Sequence, residues 1–203
     1  MTMRIFSACL LASALFMPFI STSAGSLSFN LFDLAEWASL LPAERGAEIS
    51  LLLPFMLRVQ IVCVLMLVVY LLTMRKTLCS SAARLSIIVA VSQLPPIEII
   101  SYPNDPNYRQ QLLIAALCLA GSWGVLLFRA HNYAKSVLLL VLTVSSGLLL
   151  AALIAAQVHL AQYQLFEHFG LGGPVLLVAY LLAAFMLWQQ KRAPQRSLHP
   201  STS

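Results

Sequence analysis

Long apolar runs, separated by short polar connectors, make up most of this 203-residue chain. A membrane-spanning helix needs about 20 predominantly apolar residues, with a range of roughly 17–25. Six segments come near that length, so the pattern predicts an all-α fold: a polytopic helical membrane protein with six hydrophobic segments. The six segments are Ile5–Ile20, Ser50–Met74, Leu85–Tyr102, Gln111–Phe128, Ser136–Gln157 and Pro174–Gln190.

The composition agrees with this pattern. Hydrophobic residues make up 60% of the chain and charged residues only 9%, whereas a soluble domain carries about 25% charged residues. Because this number of charges cannot cover a water-facing surface, most of the chain is expected to lie in the lipid bilayer. The net charge of +5 does not point to nucleic acid, because the basic residues lie at the ends of the apolar segments.

Lys and Arg residues collect in every second connector, and this asymmetry predicts an orientation. If all six segments cross the membrane, the outer connectors hold only Arg45 and Arg109. Short cytoplasmic loops carry the excess of Lys and Arg, so the remaining connectors and the C-terminus are predicted to be cytoplasmic. The nine residues on that side are Arg4, Arg75, Lys76, Arg84, Arg129, Lys135, Lys191, Arg192 and Arg196.

Pro95 and Pro96 interrupt the third segment, which raises the alternative of a re-entrant loop that does not cross. In that case five Lys and Arg residues would lie inside and six outside, against the positive-inside rule. We therefore expect the third segment to cross, with a helix break at the two prolines.

Residues 1–24 are open to two interpretations. Arg4 would supply the positive start of a secretory signal peptide, Ile5–Ile20 its apolar region, and Thr22-Ser23-Ala24 the small residues of a cleavage site. The alternative is a short, uncleaved first transmembrane helix. Both interpretations place Gly25 on the outer face, and the signal-like start favours a bacterial inner (plasma) membrane.

The outer loop at residues 25–49 contains a predicted interfacial helix. Asn30 can cap this helix, which would extend over Leu31–Leu41. Its apolar stripe consists of Leu31, Leu34, Ala35, Ala38 and Leu41. Residues 50–192 form the predicted transmembrane helical bundle, in which Asp105 and Pro106 begin the fourth spanning helix. Residues 193–203 are predicted to be a disordered cytoplasmic tail.

Small residues repeat every fourth position on the fourth and fifth segments. In lipid, helices associate by close approach of their backbones, which small residues at this spacing permit. A short connector joins the two segments, so a tight antiparallel hairpin is predicted, with a homodimer face as the alternative. The residues are Ala116, Ala120 and Gly124 on the fourth segment and Gly147, Ala151 and Ala155 on the fifth.

Arg58 and Glu98 are the only Arg, Lys, Asp or Glu residues embedded within apolar segments. Helical rise places Glu98 about 21 Å beyond Arg84 and Arg58 about 25 Å before Arg75, which is a similar depth. An embedded charge usually finds a partner, so an Arg58–Glu98 pair is predicted beside the proline break. The pair would form a gate or a proton or substrate site. The alternatives are a structural ion pair, or two unpaired side chains that snorkel to the outer interface.

A weaker candidate is a set of acidic and histidine residues on the outer face, which could in principle bind a divalent metal. Their spacing matches no standard metal motif, and the four cysteines are scattered. No metal, no cofactor and no catalytic residue is therefore predicted. The set consists of Asp33, Glu36, His159, Glu167 and His168.

These patterns favour a non-catalytic accessory or assembly component, with the lipid bilayer and other membrane subunits as partners. One alternative is a small transporter or channel that uses Arg58 and Glu98 at the broken third helix. A second alternative is a membrane enzyme that acts at the outer face through the acidic and histidine residues. No nucleic-acid partner is expected.

Overall fold

A computed structural model describes residues 2–22, 28–40, 51–73, 76–129, 131–162 and 166–192. These residues form seven α-helices and three short strands. The helices are α1 Thr2–Ala14, α2 Leu31–Ser39, α3 Leu52–Thr73, α4 Cys79–Ser92, α5 Pro106–Phe128, α6 Asn132–Gln162 and α7 Gly172–Arg192. The strands are β1 Ile20–Thr22, β2 Ser28–Phe29 and β3 Phe166–Phe169, and 3-10 helices cover Lys76–Leu78 and Ile97–Ile100.

Four helices are long and apolar enough to cross a membrane, as judged by length and composition. They are α3, α5, Tyr133–Gln162 within α6 and Gly172–Gln189 within α7. The predicted first and third segments form the shorter helices α1 and α4 instead. The helical membrane class predicted from the sequence is therefore confirmed, whereas six full-length spanning helices are not formed by the described residues.

Helix α3 is the centre of the bundle. A helix that is hydrophobic on all sides is expected to be buried, and 72% of the apolar window of α3 is buried against 28% in α5 and 33% in α6. Five other helices pack against α3: α1, α2, α4, α5 and α6. The outer surface of the bundle is consequently formed mainly by the less buried helices.

Contacts between α3 and α5 show that these two helices run in the same direction. Arg58 of α3 bonds Asn107 near the start of α5, and Met66 lies against Gly121 further along both helices. The chain must therefore return along the bundle between them. Helix α4, which rises about 21 Å, makes most of that return, and the 3-10 helix Ile97–Ile100 lies in the rest.

The three strands form a small antiparallel sheet in the order β2-β1-β3, which connects the end of α1 to the α6–α7 connector. Ile20 pairs with both Phe29 and Phe169. The N–H of Gly172 donates to the Pro18 carbonyl at 2.7 Å, and a Cβ at Gly170 would meet that same carbonyl. The predicted helix over Ile5–Ile20 thus ends at Ala14, and the chain after it becomes part of the sheet.

Helix α2 begins as the sequence predicts. The Asn30 side chain accepts hydrogen bonds from the N–H groups of Phe32 and Asp33 at 2.9 and 3.0 Å. The apolar stripe is buried at Leu31, Leu34, Ala35 and Ala38, whereas Leu41 lies outside the described residues. Because α2 packs on α3, protein covers this stripe. The end of the bundle that carries α2 and the sheet is called the α2 end below.

The small residues of α5 and α6 do not form the predicted tight hairpin. Ala116, Ala120, Gly147 and Ala151 are exposed, and a Cβ added at Gly124 or Gly147 would meet nothing within 4 Å. Instead α5 packs against α3 and α4, and an open groove of about 210 Å³ lies between α5 and α6. The reason is that α5 buries a different face, namely Ile114, Ala115, Cys118, Ser122 and Val125.

Candidate functional site

Arg58 lies in the second turn of α3, where its side chain is only 4% exposed. Its Nη2 donates to Glu36 Oε2 at 2.9 Å, and the carboxylate belongs to α2, which lies over this part of α3. Its Nη1 donates to Asn107 Oδ1 at 2.7 Å and to Gln110 Oε1 at 2.8 Å. Three helices therefore contribute to the environment of one buried guanidinium.

The first two turns of α5 supply the amide partners. Asp105 caps this helix by accepting from the Asn107 N–H at 2.8 Å, and Pro106 occupies its first position. Residues 107, 110 and 111 follow at spacings of three and four, which places them on one helix face. Gln110 Nε2 donates to the Leu51 carbonyl at 2.9 Å, and Gln111 Nε2 to Glu36 Oε2 at 3.2 Å.

These five residues, Glu36, Arg58, Asn107, Gln110 and Gln111, are called the Arg58 network. It joins α2, α3 and α5 at the α2 end through side-chain hydrogen bonds. Next to it, Leu51 has a φ of 70°, an unfavourable left-handed conformation for leucine. Leu51 is buried, and its carbonyl accepts from both Gln110 and the Phe55 N–H, which holds the start of α3 in place.

The structure pairs Arg58 with Glu36. The sequence predicts a pair with Glu98 instead, and that prediction is wrong. The prediction assumed one continuous helix through the third segment. In fact α4 ends at Ser92, before Pro95 and Pro96, and Glu98 lies exposed in the 3-10 helix Ile97–Ile100. The matched depth that motivated the pair is therefore lost, and the transport alternative loses its proposed site.

A polar cavity of about 220 Å³ adjoins the network. Its polar lining comes from four elements: α2 with Asp33 and Glu36, α3 with Arg58, α5 with Gln111, and the end of α4 with Ser92 and Gln93. The cavity borders an apolar groove of about 500 Å³, because both are lined by Phe32, Ile61, Ser92 and Gln93.

A second buried polar cluster connects α3, α6 and α7. Ser145 Oγ donates to Gln60 Oε1 at 2.8 Å and lies 3.0 Å from the Tyr180 hydroxyl, which itself donates to Gln60 Oε1 at 3.0 Å. Gln60 and Ser145 are fully buried and Tyr180 is 2% exposed. Hydrogen bonds between helices in lipid are worth about 1 kcal/mol each, so this cluster fixes helix register more than it adds stability.

The outer-face set proposed from the sequence divides into separate places. Asp33 and Glu36 lie together at the polar cavity, His159 lies in the last turn of α6, and His168 lies on β3 opposite Ser21. The side chain of Glu167 is outside the described part of the chain. Within that part, no three His, Cys, Asp or Glu residues are grouped so as to hold a metal ion.

Sequence reasoning missed Asn107, Gln110 and Gln111. The available signal was their spacing behind the Asp105–Pro106 helix start, in line with the buried Ile114. Polar residues on the inward face of a spanning helix need a polar partner, and Arg58 supplies it.

Comparisons with protein-family models, curated proteins and solved structures give no significant match for this chain. The Arg58 network offers one guanidinium, one carboxylate and three amides, which are groups that bind and position. Neither buried cluster pairs a nucleophile with a histidine among the described residues.

Proposed function

We propose that this chain is a non-catalytic accessory or assembly component of a bacterial inner (plasma) membrane. The observation that carries the proposal is the small-residue surface of α5 and α6, which the described chain leaves uncovered. Apolar surface by itself is expected in lipid. Small residues four apart are different, because they allow another helix backbone to approach closely.

The use made of the buried polar groups supports a non-catalytic role. Arg58 donates to partners on α2 and α5, and Ser145 bonds partners on α3 and α7. Such bonds connect helices within the subunit. A catalytic site would also need an activated group, such as a nucleophile beside a histidine base, and neither cluster holds that pair among the described residues.

The proposed topology has six crossings, four through the long helices and two through α1 and α4. The nine-to-two distribution of Lys and Arg supports this arrangement, as does the parallel direction of α3 and α5, which requires a return through α4. Both termini are then cytoplasmic. A C-terminal alkaline phosphatase fusion should be inactive and a fluorescent-protein fusion bright, and the opposite result would exclude six crossings.

We propose further that α1 is retained in the mature protein rather than cleaved as a signal peptide. Leu11, Ala14, Phe19 and Ile20 are all fully buried, and β1 is the middle strand of the sheet. Cleavage after residue 24 would remove these side chains and expose the surfaces of α3 and α7 on which α1 packs.

The assembly role commits to one occupant of the α5–α6 surface, a transmembrane helix of a partner subunit. A photo-crosslinking amino acid placed at Ala120 or Ala151 should give a discrete crosslinked protein band in cells. Leu181 on α7, which is 70% exposed on an apolar surface, is the matched control and should give none. Ala116→Leu should abolish the band formed from position 120, and Gly147→Leu the band formed from position 151, because a larger side chain four residues away on the same helix face prevents close approach.

Two outcomes would overturn the assembly role. The first is that positions 120 and 151 give the same crosslinked bands as position 181. The second is a band that persists unchanged in both Ala116→Leu and Gly147→Leu. The mass of the band identifies the partner as a second copy of this chain or as a different subunit.

A further inference from the structure

The apolar groove beside the polar cavity has the shape and surroundings of a site for an acyl chain. Helices α1 and α4 both pack on α3, and the groove lies between them. Its volume of about 500 Å³ falls within the roughly 300–1,000 Å³ of ligand pockets in proteins. The rim residues Phe16 and Ile88 are 68% and 65% exposed, so the groove is open toward the hydrocarbon region.

The polar cavity and the apolar groove are arranged in the same order as the headgroup and the acyl chain of a lipid in one leaflet. Arg58, at the cavity, lies about 9 Å from the start of α3. The groove continues along α3 from Ile61 to Val68, about 10 Å further toward the middle of the helix. A lipid bound there would have its headgroup near the α2 end and its chain directed into the bundle, as in the adjoining bilayer.

The cavity is rich in hydrogen-bond acceptors and carries excess negative charge. Two carboxylates, Asp33 and Glu36, line it together with a single guanidinium. Asp33 and Glu36 are both exposed, so a headgroup in the cavity can reach their carboxylate oxygens. A headgroup with a positive charge and N–H donors would pair with these carboxylates, whereas a headgroup with a net negative charge would be repelled.

We infer that the groove and cavity together bind one zwitterionic phospholipid with a primary ammonium headgroup, a phosphatidylethanolamine. The acyl chain lies in the groove between α1 and α4. The ammonium group donates to the carboxylates of Asp33 and Glu36 on α2. This site goes beyond the proposed assembly role, which concerns the surface of α5 and α6.

Phospholipids that differ only in the headgroup provide a direct test. The purified full chain is stripped of lipid in detergent and titrated with dioleoyl phosphatidylethanolamine, phosphatidylcholine or phosphatidylglycerol, and bound lipid is counted by native mass spectrometry. Phosphatidylethanolamine should bind at one site, about tenfold more tightly than phosphatidylcholine, because a trimethylated ammonium has no N–H to donate to the carboxylates. Equal binding of these two lipids, or preferred binding of phosphatidylglycerol, would overturn the inference.

Two variants with a matched control locate the site. Ala12 lines the groove and its neighbour Ser13 does not, although both are exposed on α1. Ala12→Trp should abolish the tightly bound lipid and Ser13→Trp should keep it. Asp33→Ala should retain binding but lose most of the preference for phosphatidylethanolamine over phosphatidylcholine.

Failure of a variant to fold does not remove the test, because the headgroup comparison uses the wild-type chain. Loss of lipid in Ser13→Trp as well as Ala12→Trp would show that the lipid binds elsewhere on α1. An unchanged preference in Asp33→Ala would show that the headgroup does not reach the cavity. Either result would overturn the assignment, and neither would affect crosslinking through α5 and α6.

Discussion

The ion pair in the Arg58 network predicts an asymmetry between its two members. The Arg58 side chain is 4% exposed, whereas that of Glu36 is 56% exposed. Glu36→Gln therefore leaves a guanidinium without its counter-charge in a buried position. Arg58→Met leaves a carboxylate that water and lipid headgroups can solvate. We expect the change at the more exposed residue to be the more damaging one.

The expected magnitudes follow from these exposures. Removing one partner of a fully buried pair costs about 3–5 kcal/mol. The exposure of Glu36 screens the interaction, so we expect Glu36→Gln to lower the free energy of unfolding by about 2–3 kcal/mol. Arg58→Met leaves the amide oxygens of Asn107 and Gln110 without a donor, but the variant no longer has to bury a guanidinium. We therefore expect it to lower the free energy of unfolding by about 1–2 kcal/mol.

The assay is reversible unfolding in mixed detergent micelles, applied to both single variants and to the double variant. The double variant should lose about as much free energy of unfolding as Arg58→Met alone, because Glu36 has no charge left to balance. Asp33→Asn, one turn earlier on α2 and not paired with Arg58, is the matched control and should change the free energy by less than about 0.5 kcal/mol. Additive effects, or a larger loss in Arg58→Met than in Glu36→Gln, would refute the reasoning.

Three further predictions concern the rest of the fold. Retention of α1 predicts that mass spectrometry of the membrane-purified protein finds peptides from residues 2–24, and their absence, with a new N-terminus at Gly25, would contradict it. Gly170→Ala should destabilise the fold in thermal unfolding by collision with the Pro18 carbonyl, whereas Gly147→Ala, whose Cβ enters open space, should be neutral or stabilising. Ser145→Ala should cost about 1 kcal/mol of unfolding free energy. Ser146→Ala removes only a bond within its own helix and should cost almost nothing, so equal losses would show that the buried cluster does not connect the helices.

The features predicted correctly from the sequence depend on local chemistry. Asn30 and Asp105 cap helices because a side-chain oxygen next to free N–H groups satisfies them in any tertiary context. The long apolar helices follow from composition and length alone. Such features need no knowledge of what the rest of the chain does.

The features that sequence analysis missed depend on which surfaces meet. Helical rise placed Arg58 and Glu98 at one depth, but α4 ends at Ser92, and Glu36 reaches Arg58 from a separate helix. The small residues of α5 and α6 carry the same pattern whether they face each other or another subunit. Helix α3 packs against the opposite face of α5. Only this contact shows that the small residues of α5 do not face α6.

The short helices α1 and α4 give a physical reason for the location of the polar network. They rise about 20 and 21 Å, whereas the hydrocarbon core of a bilayer is about 30 Å thick. A protein that crosses through both must fill the remaining depth in another way. Helix α2 packs on α3 over this part of the bundle, and Ser92 and Gln93, at the end of α4, line the polar cavity. If α1 and α4 cross as proposed, these two helices end before the bilayer does, and the space beyond their ends is where Arg58 finds its polar partners.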